Sequence, residues 1–457
     1  MGRNEVTLRR ISLLFAALSL GAARMAVSGV LPVASDGSTP FPTLRDAIAA
    51  AQAGDTITVA PGVYDETADP IVAEIAVESI TLIGLGDLPS DASITGAHIW
   101  FHASGVHHVE NLRFFGDVRL LSGYPPSSMT MRNCVVDDRV DSDHGDTITI
   151  GSEALVQDCV FQNLETFSSL SNDGFALNVT SASQGALVER CTFSNVVAHG
   201  DWAALSVASR CVVRECVFWN NSGGWAGAVH TSHTCCGYPD GPVVENCTFW
   251  RNESRYGGAA VFFEADYAIV THSVFAETIN GWGSILLGGG FTTCCDYWMN
   301  ERGTYVCAAC QHGGNFQADP LFCDAAGGDF RIDPDSPCQP RSHDGVPCGL
   351  VGAFGDCAPT SVEGTVSEPG TGSPLVVLRN PTGSSASLLL ATSTPGTVSG
   401  SVHATDGRRV LDIVPRAVGA GEARVEVTMP DELSGGTYYV RLETPDGVRT
   451  ARLVLLR

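Results

Sequence analysis

Along the middle of the chain, apolar and polar side chains alternate in short runs, and Gly, Asn or Asp separates one run from the next. Alternation at period two argues strand, and no stretch there carries the 3.6-residue stripe of a helix. The separators tolerate the positive φ of sharp turns. The runs also repeat. Val156-Gln-Asp-Cys159-Val-Phe161, Val188-Glu-Arg-Cys191-Thr-Phe193, Val213-Arg-Glu-Cys216-Val-Phe218 and Val244-Glu-Asn-Cys247-Thr-Phe249 share the pattern V-x-x-C-x-F. Degenerate copies flank them at Val109…Leu112…Phe114, Met131…Cys134…Val136 and Val270…Ser273…Phe275. The cysteine position advances by 22, 25, 32, 25, 31 and 26 residues, a mean of about 27. Each unit has a related second half at 172–179, 199–207, 223–230 and 256–263. A period of this size means that a unit cannot bury its apolar face alone and stacks on its neighbours.

Stacking places equivalent strands side by side, about 4.8 Å apart. The expected product is an all-β fold, a parallel β-solenoid filled by files of like side chains: Val over Val, Cys over Cys, Phe over Phe. Asn163, Asn195 and Asn220 each follow the inward Phe by two residues. They are expected to form a ladder of amides bonded from coil to coil. Before the repeats, Leu44, Ala47, Ile48 and Ala51 share one helical face, Thr43 and Asp46 supply an N-terminal cap, and Gly54 stops the helix. An amphipathic helix at the open end of a solenoid reads as a lid.

The segment from Thr43 to Tyr64, TLRDAIAAAQAGDTITVAPGVY, resembles the opening of right-handed parallel β-helix proteins of the pectin-lyase-like fold. Residues 318–354, ADPLFCDAAGGDFRIDPDSPCQP…CGLVGAF, are similar to the closing segment of bacterial secreted members. The resemblance covers roughly residues 36–358 and implies the fold far more than an activity, because many functions share the scaffold.

Charge and cysteine narrow the setting. The net charge is −24 and every one of the 26 basic residues is arginine. Acidity disfavours nucleic acid and anionic membranes as partners. The absence of lysine excludes Schiff-base chemistry and a phosphate-loop lysine. Residues 1–29 read as a signal peptide: Arg3, Arg9 and Arg10, then the apolar run Ile11 to Leu20, then Gly21-Ala22-Ala23. The run is too short to span a membrane, and no other segment could cross one. Sixteen cysteines in an exported chain suggest disulfides. Cys134, Cys159, Cys191, Cys216 and Cys247 hold the inward repeat position, where stacked thiols and bonded pairs are both open readings. Cys235, Cys236, Cys294, Cys295, Cys307, Cys310, Cys323, Cys338, Cys348 and Cys357 are the disulfide candidates, with zinc at Cys307-x-x-Cys310 and Cys294-Cys295 the weaker alternative.

The solenoid is assigned to residues 30–358 and a linker, rich in Pro, Gly, Ser and Thr, to 359–373. About seven short strand candidates follow, with Asp406-Gly407 and Asp446-Gly447 as turns, which predicts a small β-sandwich over 374–457. Asn380-Pro381, the central D-G-R-R and the closing GGTYYVRLETPDGVRTARLVLLR resemble the C-terminal type A sorting domain of type IX secretion cargo and the related immunoglobulin-like domain of the flagellar hook-capping protein. That resemblance implies outer-membrane secretion machinery as a partner, and a protein secreted or held at the outer surface of a Gram-negative-type bacterium. The final strand ends in Arg where lysine is usual in such signals.

Candidate chemistry is sparse. Alignment of the second half-repeats brings His144, Asp173 and Asp201 into one column, with Asp146, His199, His230 and His233 nearby. Asp173, Asp201 and His199 form the candidate acid–base group. Asp-Gly and Gly-Asp between strands are equally ordinary turn chemistry. Asp141, Asp143 and Asp146 lie in the densest acidic run, a partial calcium-loop pattern or a solvated acidic loop. The aromatics Trp202, Trp219, Trp225, Trp250, Trp282, Trp298, Tyr256 and Tyr297 could stack sugar rings. Trp219 and Trp250 directly follow the inward Phe, so they should point outward on neighbouring coils and, with His230, offer a ligand platform. Three functions fit: glycan or partner binding without catalysis, lysis or hydrolysis of an acidic polysaccharide, or a structural role at the surface.

Overall fold

The computed structural model describes residues 28–455 except 68–70, 76, 102–104, 123–126, 141–146, 152–153, 167–174, 181–184, 200–202, 208–209, 232–240, 264–267, 304–309, 358–375, 378–384, 405–408, 431–432 and 434–435. Residues 1–27 of the segment read as a signal peptide over 1–29, and the linker assigned to 359–373, therefore lie outside the described residues. Three parallel sheets wind around one core. The first has eleven strands, from Val30–Val33 to Gly290–Thr293. The second runs from Gly62–Asp65 to Asp296–Trp298, and the third from Ile71–Ile75 to Gly283–Leu287.

Register follows the repeat. Val156, Val188, Val213, Val244 and Val270 are successive partners in the first sheet. Phe161, Phe193, Phe218, Phe249, Phe275 and Tyr297 are successive partners in the second. Their rings stack at 4.6, 4.8, 5.0, 4.7 and 5.4 Å between centroids. A spacing near the inter-strand distance lets each ring from Phe193 to Phe275 face two others with no loss of strand pairing.

One residue turns each coil from the first sheet into the second. Asn133, Asp158, Arg190, Glu215, Asn246 and His272 hold left-handed backbone with φ between 47° and 55°. The next residue points inward, and there the thiols stand as an unbonded file. Each thiol bonds the carbonyl two residues back, as Cys216 does to Arg214 O at 3.2 Å, and reaches the preceding coil, at Val188 O, 3.5 Å away. Ser273 Oγ makes the same local bond to Thr271 O at 2.9 Å. A small side chain with a weak donor is what this corner needs.

The predicted amide ladder is present at the surface: Asn195 Nδ2 donates to Asn163 Oδ1 at 3.1 Å, and Asn220 Nδ2 to Asn195 Oδ1 at 3.4 Å. A second, buried ladder runs one residue further on. Asn221 and Asn252 donate to Phe193 O and Phe218 O at 2.9 and 2.8 Å, and Asn221 also bonds Asn252.

The helix Leu44–Ala50 buries Leu44, Ala47 and Ile48, and Thr43 Oγ1 accepts from Asp46 N at 3.1 Å. At the far end, residues 311–318 begin another partial coil, with parallel bridges Thr292↔Gln311 and Asp296↔Phe316. The chain then folds back over the outside of the second sheet. Phe330, Ile332, Cys338 and Val351 pack there against Val217, Trp250, Val274 and Ala276. Cys294–Cys348 ties this cover to the solenoid and Cys323–Cys357 closes it on itself. Two disulfide candidates are corrected: Cys295 and Cys338 are buried thiols. Cys295 follows the left-handed Cys294 and so takes the inward corner position. The zinc alternative is also corrected, because Cys294 and Cys310 are both disulfide-bonded. Cys211 adds a further buried thiol. Beyond residue 375, three- and four-stranded antiparallel sheets share a core that includes Leu388, Leu390, Val425, Val440 and Leu442. This is the small sandwich predicted, with Arg409–Val418 as its longest strand.

Candidate functional site

Of the candidate acid–base residues, His199 is described and Asp173 and Asp201 lie outside the described residues. His199 follows the short strand Val197–Ala198, and its Nε2 lies 2.6 Å from Glu165 Oε1 on the preceding coil. Both side chains are about one-third exposed, at 32% and 38%. His230 sits elsewhere. It faces outward from the third sheet, in register with Ser206 and Phe262, yet is buried between the rings of Phe175 and Phe262 at 6.5 and 5.4 Å.

Trp219 and Trp250 point outward on adjacent coils, 6.4 Å apart, as strand alternation requires. They do not form an open platform. Phe330 of the cover lies 6.1 and 5.8 Å from their rings, and Trp250 is 4% exposed. Two neighbouring indoles outside a sheet make an apolar patch, and the chain's own returning segment buries it.

Asp141, Asp143 and Asp146 lie outside the described residues. Among the described residues, no three His, Cys, Asp or Glu side chains converge as a metal site. Asp137, at the start of that acidic run, is structural. Burial opposes its charge, but the Asn163 amide at 3.0 Å and the Arg113 guanidinium at 2.8 Å hold its carboxyl below the usual range.

A different constellation forms at the corner between the second and third sheets. The two-residue strands Val197–Ala198, Ser222–Gly223, Glu253–Ser254 and Ile279–Asn280 pair in parallel along it. After each of the last three the backbone crosses close to its neighbour. A Cβ at Gly257 would sit 2.0 Å from Trp225 O, so glycine is required there. The approach gathers aromatic rings from three coils. Trp225 stacks on Phe262 at 5.2 Å, meets Trp282 edge-on at 6.2 Å and lies 5.8 Å from Tyr256. Trp225 is half-buried, whereas Trp282 and Tyr256 are 58% and 47% exposed.

Beside Trp282 runs a groove of about 620 Å³, lined by Glu253, Ser254, Arg255, Asn280, Gly281 and Arg302 as well. Glu253 and Arg255 also line a smaller recess with Val197, Ala198, Ser222 and Gly223, so the groove extends toward the His199–Glu165 pair. Asn280 is fixed from both sides: its Nδ2 donates to Glu253 Oε1 at 2.6 Å and its backbone N–H to Glu301 Oε2 at 2.8 Å. Arg255 and Arg302 are exposed, and neither pairs with an acid among the described residues. Planar aromatic surface, two available guanidiniums and an oriented amide can hold a ring that carries both C–H faces and an acid group. Sequence reading included Trp225, Tyr256 and Trp282 among the loop aromatics. It missed Arg255, Asn280 and Arg302, whose residue types do not recur at the equivalent positions of neighbouring coils and so make no motif.

Residues 90–280 match the family model of the right-handed β-helix region. No curated protein sequence matches the chain significantly. Among solved structures, the pectin methylesterase of Aspergillus niger, in a penultimately deglycosylated form, is 16% identical, with a TM-score of 0.33, over 62% of this chain and 92% of that one. Its deglycosylated form gives 15% and 0.32 over the same shares. A PL6 family alginate lyase is 13% identical, with a TM-score of 0.27, over 78% of this chain and 61% of that one. Likenesses this distant leave the activity to the residues themselves.

Proposed function

We propose that the protein is an exported β-helix that binds an acidic glycan along the corner between its second and third sheets, without chemical change to the ligand. One observation carries the reading: Trp282, Arg255 and Arg302 share one open groove. An exposed indole stacks on the C–H face of a sugar, and a guanidinium recognises a carboxylate or sulfate through paired hydrogen bonds. The chain's net charge of −24 makes the two arginines informative. Its overall field repels a polyanion, so attraction has to come from local, oriented cations. The signal-like first 29 residues support export, and the sorting-type resemblance of the last 84 supports display at or release from a cell surface.

The test is equilibrium binding to a panel of neutral, uronate and sulfated polysaccharides. The expected outcome is binding to acidic polymers that weakens at least tenfold, about 1.4 kcal/mol, in Trp282→Ala and in the Arg255→Ala/Arg302→Ala double variant. Binding that neither variant alters sinks the reading.

A second reading, cleavage of the same polymer, is favoured by the 2.6 Å contact of His199 with Glu165 near the groove. An imidazole held by a carboxylate is suited to proton transfer. It is checked by absorbance of unsaturated products and by new reducing ends, each expected to vanish in His199→Ala. Silence of the unaltered protein in both readouts removes it.

A further inference from the structure

The last coil of the second sheet carries a carboxylate where its predecessors carry Val217, Thr248 and Val274. Asp296 has no exposed surface. It lies between the solenoid and the returning segment, whose surrounding residues are apolar: Val274, Ala276, Phe330, Ile332 and Val351. Its Oδ1 accepts from Ala318 N at 3.0 Å, and its Oδ2 lies 3.5 Å from the Sγ of Cys338, a fully buried free thiol. The charged groups around it offer no compensation. Asp319, next to Ala318, adds repulsion. Arg341, on the cover, turns its guanidinium to Ser336 O. Ser336 Oγ is occupied by Pro320 O at 2.6 Å. On its own strand, Cys295 and Tyr297 point into the solenoid. Burial pushes the carboxyl up to about 7, against the pull of the Ala318 amide, the Cys338 thiol and the Tyr297 amide. A carboxylate in such a place is relieved by water, and water enters only where the cover lifts.

We propose that Asp296 is the latch of a hinged cover: the neutral carboxyl seats residues 319–357 on the second sheet, and ionisation lifts them to bare the Trp219–Trp250 face. The covalent plan suits a lift. Cys294–Cys348 keeps the cover attached, and Cys323–Cys357 keeps it in one piece. The face it would bare is aromatic, two indoles on adjacent coils that Phe330 now covers. The inference is independent of the groove at Trp282. Complete ionisation shifts the opening equilibrium by up to about a thousand-fold for a displacement of three pH units, opposed by the apolar contacts of the cover.

Cys338 reports the motion. In the full-length protein with disulfides intact, its alkylation by N-ethylmaleimide is followed by mass spectrometry. Each rate is divided by that of the denatured chain at the same pH. The normalised rate is expected to rise about tenfold or more from acidic to mildly alkaline pH, with its midpoint near 7, and to stay low and flat in Asp296→Asn. Cys216, inside the solenoid, is the internal control and should stay unreactive throughout. A flat profile in the unaltered protein, an equal rise in Asp296→Asn, or a parallel rise at Cys216 overturns the latch. If Asp296→Asn fails to fold, the Cys338 and Cys216 profiles of the unaltered protein decide alone.

Discussion

At the corner of each coil from Cys134 to Cys295 the single inward residue is small and bonds a carbonyl, whereas the earlier coil carries Leu112 there. Cysteine does so six times, at 134, 159, 191, 216, 247 and 295, and Ser273 does it once. Cys216→Ser should therefore change stability by less than about 1 kcal/mol, whereas Cys216→Leu should cost about 1–3 kcal/mol by overpacking. Denaturant midpoints at fixed m-value check both. Burial also opposes ionisation of single thiols: it pushes Cys295 in this file, and Cys211 outside it, up to about 12. Asp296 shows the opposite side of burial. Its carboxyl is raised when folded, so its contribution to stability is fully present below the unfolded value and is lost as pH rises through about 7. The loss is at most on the order of 4 kcal/mol, from three pH units at about 1.4 kcal/mol each. Asp296→Asn should flatten that dependence and be the more stable protein at pH 8, read from urea unfolding across the range.

At the scale of the element, stability comes from files rather than from single strands. Phe218 faces Phe193 and Phe249 at 4.8 and 5.0 Å, so its removal breaks two stacks and leaves a cavity. Phe218→Ala should cost about 3–5 kcal/mol. Hydrogen exchange should show the loss first in the coils on either side, since each coil contacts only its neighbours. Asn221→Ala should cost about 1–3 kcal/mol, because the buried Phe193 carbonyl loses the Asn221 amide and the buried Val196 N–H loses its acceptor. Much of this was legible. The V-x-x-C-x-F spacing names the inward residues, because alternation and register leave them one place to go. Asn220 was legible as a turn amide, but the buried Asn221 beside it was not. Both are asparagines in a turn, and only the path of the next coil tells which amide is enclosed.

The whole molecule holds what the repeats do not encode. The cover reaches Trp219 and Trp250 from residues more than 70 positions further along, anchored by Cys294–Cys348 across 54 residues. Opening that bridge with Cys294→Ser/Cys348→Ser should destabilise the cover by about 2–4 kcal/mol and shift tryptophan emission to the red as Trp250 is wetted. Unchanged emission would mean that the apolar contacts hold it unaided. The groove is another product of this scale. Arg255, Asn280, Trp282 and Arg302 come from neighbouring coils, and although Asn280 and Arg302 are equivalent in register, the residue types do not recur from coil to coil.

Period, alternation and turn residues were enough to specify a stacked all-β array, its cap helix and its inward files, because every coil meets nearly the same neighbours and local pattern dictates the contact. They also set the outward direction of Trp219 and Trp250. Whether an outward ring meets water or another segment is a different question. Its answer depends on where distant chain returns, which brought Phe330 onto Trp219 and Trp250 and left Trp282 open beside two arginines that pair with no acid among the described residues.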